Sequence, residues 1–206
     1  DKLMVGTQRQ FVERLGGYTV LTTSINTIST GELLVKRLID IIGGLVGCVL
    51  TGILFLFLAP AIKIQSPGPV FFSQIRVGKN GKKFKLYKFR SMYTDAEERK
   101  AQFAAENRVT DGLMFKLDFD PRIIGCRQLP DGTVKKGIGN FIRDWSFDEF
   151  PQFWNVLKGD MSLVGTRPPT EDEWVKYELH HRSRLAIKPG ITGMWQVSGR
   201  SEITDF

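Results

Sequence analysis

The sequence predicts an α+β protein: a re-entrant membrane helix followed by a small α/β domain of short strands and interfacial helices on the cytosolic face. Three observations predict it. Ile41 to Ile62 is a run of 22 uncharged residues rich in Leu, Ile, Val, Phe and Gly, long enough to span a bilayer. Basic residues lie on both sides of it, Lys36 and Arg37 before, and Lys63, Arg76, Lys79, Lys82, Lys83, Lys85, Lys88 and Arg90 after. The positive-inside rule wants both flanks cytoplasmic, which a segment that enters and leaves by one face satisfies. The rest of the chain alternates short β-prone runs with short amphipathic ones.

Taken in order, residues 1–30 hold a basic, weakly amphipathic piece (Gln8 to Leu15), a Gly16-Gly17 break, the β-prone Tyr18 to Thr23 and a Ser/Thr/Asn-rich linker. They read as the last helix and strand of a preceding domain. The chain starts at Asp1 without Met and stops at Phe206 inside a polar segment, so both ends read as cut points in a longer protein, the second domain being truncated at its C-terminus. Residues 31–65 form the membrane helix, with a break expected at Gly52 or at Ala59-Pro60. Asp40 is costly in hydrocarbon and is expected at the interface or paired with a basic neighbour.

Residues 66–206 form the second domain. Ser66-Pro67-Gly68-Pro69 is a turn, and Val70–Arg76 and Lys83–Arg90 are strands joined by Gly78-Lys79-Asn80-Gly81, a hairpin signal. Phe84, Leu86 and Lys88 share one side of the second strand. The lysines from Lys79 to Lys85 read as a solvated face over anionic lipid, whereas Lys88 and Arg90 suit that role and phosphate binding equally. Asp95 to Asn107 reads as a polar helix and Glu171 to Arg184 as a charged one; His180 and His181, being adjacent, point to different faces and read as surface residues. Gly137-x-Gly139 lacks the strand–turn–helix setting of a nucleotide loop.

The stretch Arg143 to Asp160, running on to Gly165-Thr166-Arg167-Pro168-Pro169, organises the domain. Phe150, Phe153, Trp154 and Leu157 fall at i, i+3, i+4 and i+7, one apolar face of a short helix that Lys158-Gly159 ends. A helix starting at Asp148 puts Pro151 where its missing N–H costs nothing. Asp148 and Glu149 then sit at a helix N-terminus, where they either cap the helix or lie where a phosphate would bind. Loops dense in Gly follow, Lys188 to Gly193 and Gln196 to Arg200, suited to tight turns or to close backbone approach to an anion.

Net charge of +7 and a pI near 9.5 point to anionic partners. Nucleic acid is set aside, because no recognition helix or stacking block accompanies the charge. Cys48 and Cys126 form neither a metal cluster nor a disulfide framework and fit a reducing, cytosolic-side setting.

Together these blocks resemble the monotopic phosphoglycosyl transferases, bacterial sugar transferases of capsule and exopolysaccharide synthesis. The resemblance runs from about Lys36 to Arg200. It is carried by Lys36-Arg37-x-x-Asp40, Ser66 to Pro69, Lys88-Phe89-Arg90-Ser91-Met92, Asp148-Glu149 with Asn155 to Ser162, Arg167-Pro168, Pro189 to Gly193 and Gln196 to Arg200. It implies that Asp148 attacks the β-phosphorus of a UDP-sugar, UDP-glucose before UDP-galactose, and releases UMP. Undecaprenyl phosphate then takes the sugar phosphate from the aspartyl intermediate. It also implies that Glu149, with Asp148, helps hold Mg²⁺. The expected phosphate-binding cations are Arg143, Arg90, Lys88 and Arg167, and the expected nucleotide or sugar loop residues are Gly190, Thr192, Gln196 and Arg200. The implied setting is the cytosolic face of the bacterial inner membrane, in contact with lipid, with a homo-oligomer left open. Many relatives break the membrane helix with Ser-Pro near its middle; the equivalent spacing here falls on Gly52-Ile53. The competing reading is a basic membrane scaffold of a polysaccharide assembly complex, in which Asp148 and Glu149 do no more than cap a helix.

Overall fold

The computed structural model describes residues 9–15, 18–24, 29–99, 102–103, 117, 119–177 and 179–193. The chain divides into two compact units, Asp1–Ile39 and Asp40–Phe206. In the first unit, strand β1 (Arg9–Leu15) pairs antiparallel with β2 (Tyr18–Ser24), Leu15 opposite Tyr18. This corrects the helix expected over Gln8 to Leu15. Two strand-length runs separated by Gly-Gly are a hairpin signal, and it outweighs weak amphipathicity over so few residues.

Helix α1 (Thr30–Gln65) starts behind a capping box: Glu32 N donates to Ser29 Oγ (3.2 Å) and Ser29 N to Glu32 Oε2 (2.7 Å). It continues through Gly52 and Pro60, so both expected break points lie inside it, and it stops just before Ser66-Pro67. By length and composition it could cross a membrane. Its residues 40, 44, 47, 51, 54, 58 and 62, all within the second unit, repeat at helical spacing and form the face that packs on the rest of that unit. Leu45, Val49, Leu56, Phe57 and Ile64 stay exposed, an apolar surface suited to lipid.

The docked face changes character along its length. Side chains at Gly44 and Gly47 would collide with Leu157 and the ring of Phe153, so these glycines let a neighbouring helix lie against the backbone of α1. Further on, Leu58, Ala59 and Ile62 enter the main core with Val70, Phe89, Ile124 and Ile142. Asp40 is buried, and its Oδ1 accepts from Ser162 Oγ and Leu163 N, both at 2.9 Å. The start of a strand thus meets this carboxylate.

Strands β3 (Phe71–Val77) and β4 (Lys83–Phe89) form the hairpin as expected, with Asn80 and Gly81 at positive φ in its turn. Phe84 and Leu86 are buried against Val156 and Met161, and Lys88 shares their face. On the opposite face Phe71 stacks between Phe55 of α1 and Phe89. Short strands β5 (Arg127–Gln128) and β6 (Val134–Lys135) make a second hairpin, then come α2 (Ile138–Asp144) and α3 (Gln152–Lys158). Strand β7 (Ser162–Val164) pairs in parallel with β8 (Gly190–Thr192) across a helical connection. That connection holds α4 (Glu171–Val175), α5 (Leu179–Arg182) and a 3₁₀ turn over Ser183–Ala186, not the single helix expected. The chain leaves α4 at Lys176, and Tyr177 turns inward against Trp174. Of the helix expected over Asp95 to Asn107, residues 95–97 lie in a turn, residues 98–99 and 102–103 are 3₁₀-helical, and the remainder lies outside the described residues.

Candidate active site

Aromatic spacing places the acidic pair. After α2, Ser146 adopts a left-handed conformation (φ 56°, ψ 23°), and Phe147–Glu149 forms one 3₁₀ turn. Residues three apart eclipse in such a turn. Phe147 and Phe150 therefore face the same way, contact edge-to-face at 5.9 Å and pack against the main core. Phe150 continues to Phe153 at 5.7 Å. Asp148 and Glu149, between the rings, project to the other side.

This corrects the helix start: α3 begins at Gln152 with Pro151 as its N-cap, and Asp148 lies in the turn before it. Pro151 has no N–H to lose at that junction. Helix α1 contacts the junction directly, since Thr51 Oγ1 donates to Phe150 O (3.0 Å) as well as to Gly47 O (2.7 Å). The C-terminal end of α3 is as expected, with Gly159 left-handed at φ 90°.

Asp148 is 7% exposed. Lys88 Nζ donates to its Oδ2 at 3.2 Å and to Glu149 Oε1 at 3.4 Å. Asp148 Oδ1 is buried with no hydrogen-bond partner. Leaving a carboxylate oxygen so costs about 1–3 kcal/mol, and sites retained at that cost are commonly functional. The register is held by Asn155, fully buried, whose Nδ2 donates to Lys85 O (2.7 Å) and whose Oδ1 accepts from Tyr87 N (3.2 Å). Asn155 thereby ties α3 to the edge of β4, the strand that carries Lys88.

The other expected cations are placed differently. Arg90 is 4% exposed and spends its guanidinium on Ser66 Oγ (3.0 Å), Ser66 O and Pro67 O (3.1 Å), clamping the turn after α1; its burial lowers its pKa. Arg143 is exposed on the last turn of α2, where its charge acts on Asp120. Arg167 makes a bidentate pair with Glu173, Nη1–Oε2 3.0 Å and Nη2–Oε1 3.1 Å. Gly190 belongs to the β7–β8 contact, where any side chain would meet the backbone of Gly165, and Thr192 O accepts from Gly165 N (2.9 Å). Gln196 and Arg200 lie outside the described residues.

Arg76 and Glu173 are additions that sequence reasoning missed. Arg76 Nη1 donates to Pro168 O (3.0 Å), Nη2 to Gln74 Oε1 (2.8 Å), and Nη1 lies 3.9 Å from Glu173. Burial and then repulsion from Arg167 bring its pKa down to about 10, against the pull of Glu173 and, more distantly, Glu149. The available signal was Gln74 and Arg76, two polar positions on one face of β3.

The Bacterial sugar transferase family profile matches residues 31–206, the whole of α1 and everything after it. The chain belongs to that family. Among its relatives, the "Galactosyl transferase CpsE" of Streptococcus agalactiae serotype III is 51% identical over 195 residues, 95% of this chain and 40% of that protein. The "Undecaprenyl-phosphate galactose phosphotransferase" of Salmonella typhimurium is 37% identical over 181 residues, 86% of this chain and 35% of that one. The "Exopolysaccharide production protein ExoY" of Rhizobium meliloti is 36% identical over 176 residues and is covered over 71% of its length. The chain thus spans about two fifths or less of the first two and most of the third. Within this family frame, the acidic pair and Lys88 are the residues the fold brings together, and Arg90 and Arg167 the ones it commits to neighbours.

Proposed function

We propose that the protein is a membrane-bound phosphoglycosyl transferase, moving a hexose-1-phosphate from a UDP-sugar to undecaprenyl phosphate to initiate capsule or exopolysaccharide synthesis. Asp148 carries the reading: a buried carboxylate beside Glu149, one oxygen on Lys88 and the other without a partner. Family membership and the relatives' names support the reaction class and the acceptor. They favour galactose over glucose, reversing the order expected from the sequence, because relatives 51% and 37% identical to this chain are named for galactose transfer. The basic residues on both sides of α1 support a helix that enters and leaves the inner membrane by the cytosolic side.

Asp148 acts as the nucleophile. Its oxygen forms a bond to the β-phosphorus, the bond from that phosphorus to the bridging oxygen breaks, and UMP leaves with the electron pair. An oxygen of undecaprenyl phosphate then attacks the same phosphorus. Asp148 departs as a carboxylate, giving the polyprenyl-diphosphate-sugar. Lys88 holds the carboxylate in line and offsets charge as the anionic donor approaches.

Mg²⁺ fits these residues. The unpartnered Oδ1 of Asp148 lies next to a second carboxylate, and among the described residues no third His, Cys, Asp or Glu joins them as a metal-binding group. One or two carboxylates completed by substrate phosphates is the common magnesium arrangement. Asp148 and Glu149 would hold the ion, which would neutralise diphosphate charge.

The test is UMP release by the full-length protein from UDP-galactose, UDP-glucose and UDP-N-acetylgalactosamine, with undecaprenyl phosphate and Mg²⁺. Release with UDP-galactose, lost in Asp148→Asn and with chelator, is the expected result. A folded wild type that releases no UMP from any of the three refutes the reading.

A further inference from the structure

We propose that Glu173 is a positioning residue for the donor's diphosphate, holding Arg167 and Arg76 together as a preset anion seat beside the acidic pair. The proposal rests on the transferase reading. Glu173 caps α4 through a capping box, with Thr170 N donating to its Oε2 (2.9 Å) and its own N donating to Thr170 Oγ1 (3.2 Å). That box fixes the carboxylate on the first turn of α4. A cap alone needs one acceptor oxygen. Here both oxygens are also engaged by Arg167, and Arg76 lies 3.9 Å away.

The arrangement leaves an excess of positive charge in a half-buried place. Two guanidiniums share one carboxylate, with side-chain exposures of 15% for Arg76, 21% for Arg167 and 12% for Glu173. Arg76 Nε is buried without a hydrogen-bond partner. A guanidinium carries five N–H bonds and the Glu173 contact uses two of those on Arg167, so further donors remain for a planar, bidentate oxyanion. Burial first, and then repulsion from Arg167, bring the Arg76 pKa down to about 10, so the two cations do repel each other. Glu173 is what offsets that repulsion.

The seat lies on the reactive side of the hairpin. Directly paired residues share a sheet face, and the register sets Arg76 opposite Phe84 and Phe72 opposite Lys88. Arg76 and Lys88 are therefore on one face, roughly 13 Å apart along the strands at about 3.3 Å per residue. Arg76 also feels the charges of Glu97 and, less strongly, Glu149.

The experiment uses the full-length protein in lipid nanodiscs and compares wild type, Glu173→Gln, Arg167→Ala and the double variant. Glutamine keeps an oxygen for the Thr170 cap but removes the charge. The expected result is a donor KM raised about tenfold in Glu173→Gln, with kcat within about twofold and the melting temperature lowered only slightly. In the Arg167→Ala background, Glu173→Gln adds a smaller change in KM than in wild type, because most of its effect acts through that arginine. An unchanged or lower KM in Glu173→Gln, or independent effects in the double variant, overturns the proposal. Absence of UMP release from the wild type counts against the transferase reading instead. Titration calorimetry with UDP on the same variants then decides the inference: about tenfold weaker binding in Glu173→Gln supports it and equal binding overturns it.

Discussion

Two ion clusters share a face of the β3–β4 hairpin, built from the same kinds of residue in inverted proportion. The first sets one lysine between two carboxylates, Asp148 and Glu149, and leaves Asp148 Oδ1 without a partner. The second sets one carboxylate, Glu173, among two arginines and leaves Arg76 Nε without a partner. Each is deficient in one sign of charge, so each is completed by a ligand of that sign: a cation at the first, an oxyanion at the second. They also differ in how they are held. The acidic pair hangs on packed phenylalanines and a strained Ser146, while the arginine pair hangs on a helix cap. The difference separates a place where bonds are made from a place where charge is received.

The largest effect expected is at the first cluster. Asp148→Asn removes the nucleophile, so turnover falls at least about 10³-fold, while thermal unfolding shows a fold as stable as wild type or more so. The stability half of the measurement is informative because Oδ1 has no partner to lose, asparagine keeps an acceptor oxygen for Lys88, and Glu149 keeps its charge beside that lysine. A marked drop in stability would make Asp148 a structural residue and erase the contrast between the clusters.

Next is Lys88→Met, which leaves two neighbouring carboxylates without their shared cation. Turnover is expected to fall about 10²-fold, the usual scale for one preorganised charge, with a loss of about 1–3 kcal/mol in stability from the unpaired Asp148. Kinetics and denaturant unfolding on the same preparation check it. If the variant keeps full activity, Lys88 is a lipid-facing lysine of the kind its neighbours are.

Much of the scaffold around these clusters is legible in the sequence, and the reason is local. The β3–β4 hairpin follows from alternation and from Gly78-Lys79-Asn80-Gly81; the limits of α1 follow from Ser29-x-x-Glu32 and Ser66-Pro67; the end of α3 follows from Lys158-Gly159. Each signal involves residues a few positions apart. What the sequence does not disclose is which distant partner satisfies a polar side chain. Arg90 with Ser66, Arg167 with Glu173, Asp40 with Ser162 and Asn155 with β4 are decided by packing, and a cation reads the same whether it will meet a phosphate or a buried carbonyl. The apolar face expected on α3 is likewise half of the answer. Phe153 and Leu157 do meet the glycines of α1, but Asn155 and Val156 on another side are the fully buried ones.

That glycine contact supplies the third effect. Gly47→Leu drives a branched side chain into the Phe153 ring. The expected cost is about 1–3 kcal/mol, with activity falling as well because α1 holds the Phe150 carbonyl through Thr51. Gly52→Leu is the control, since nothing lies within 4 Å of a side chain there. Equal melting temperatures for the two variants would show that α1 does not position the site by close packing.

The smallest effect expected is a pH dependence that tells the second cluster from the first. Burial pushes the Glu173 carboxyl up, but Arg167, the Thr170 N–H and Arg76 together outweigh it, and its pKa lies below the ordinary value of 4.5. A carboxyl lowered by folding contributes stability that is fully present above its unfolded value and is lost as the pH falls through its folded one. Wild-type protein should therefore hold its stability down to about pH 4.5 and lose it more steeply below that than Glu173→Gln, which has no proton to take up there. The gap between their melting temperatures should narrow on acidification. Asp120, also lowered, titrates in both proteins and cancels in the comparison. Parallel curves would mean that the arginines gain nothing from the Glu173 charge, and that the second cluster is a helix cap with two arginines beside it.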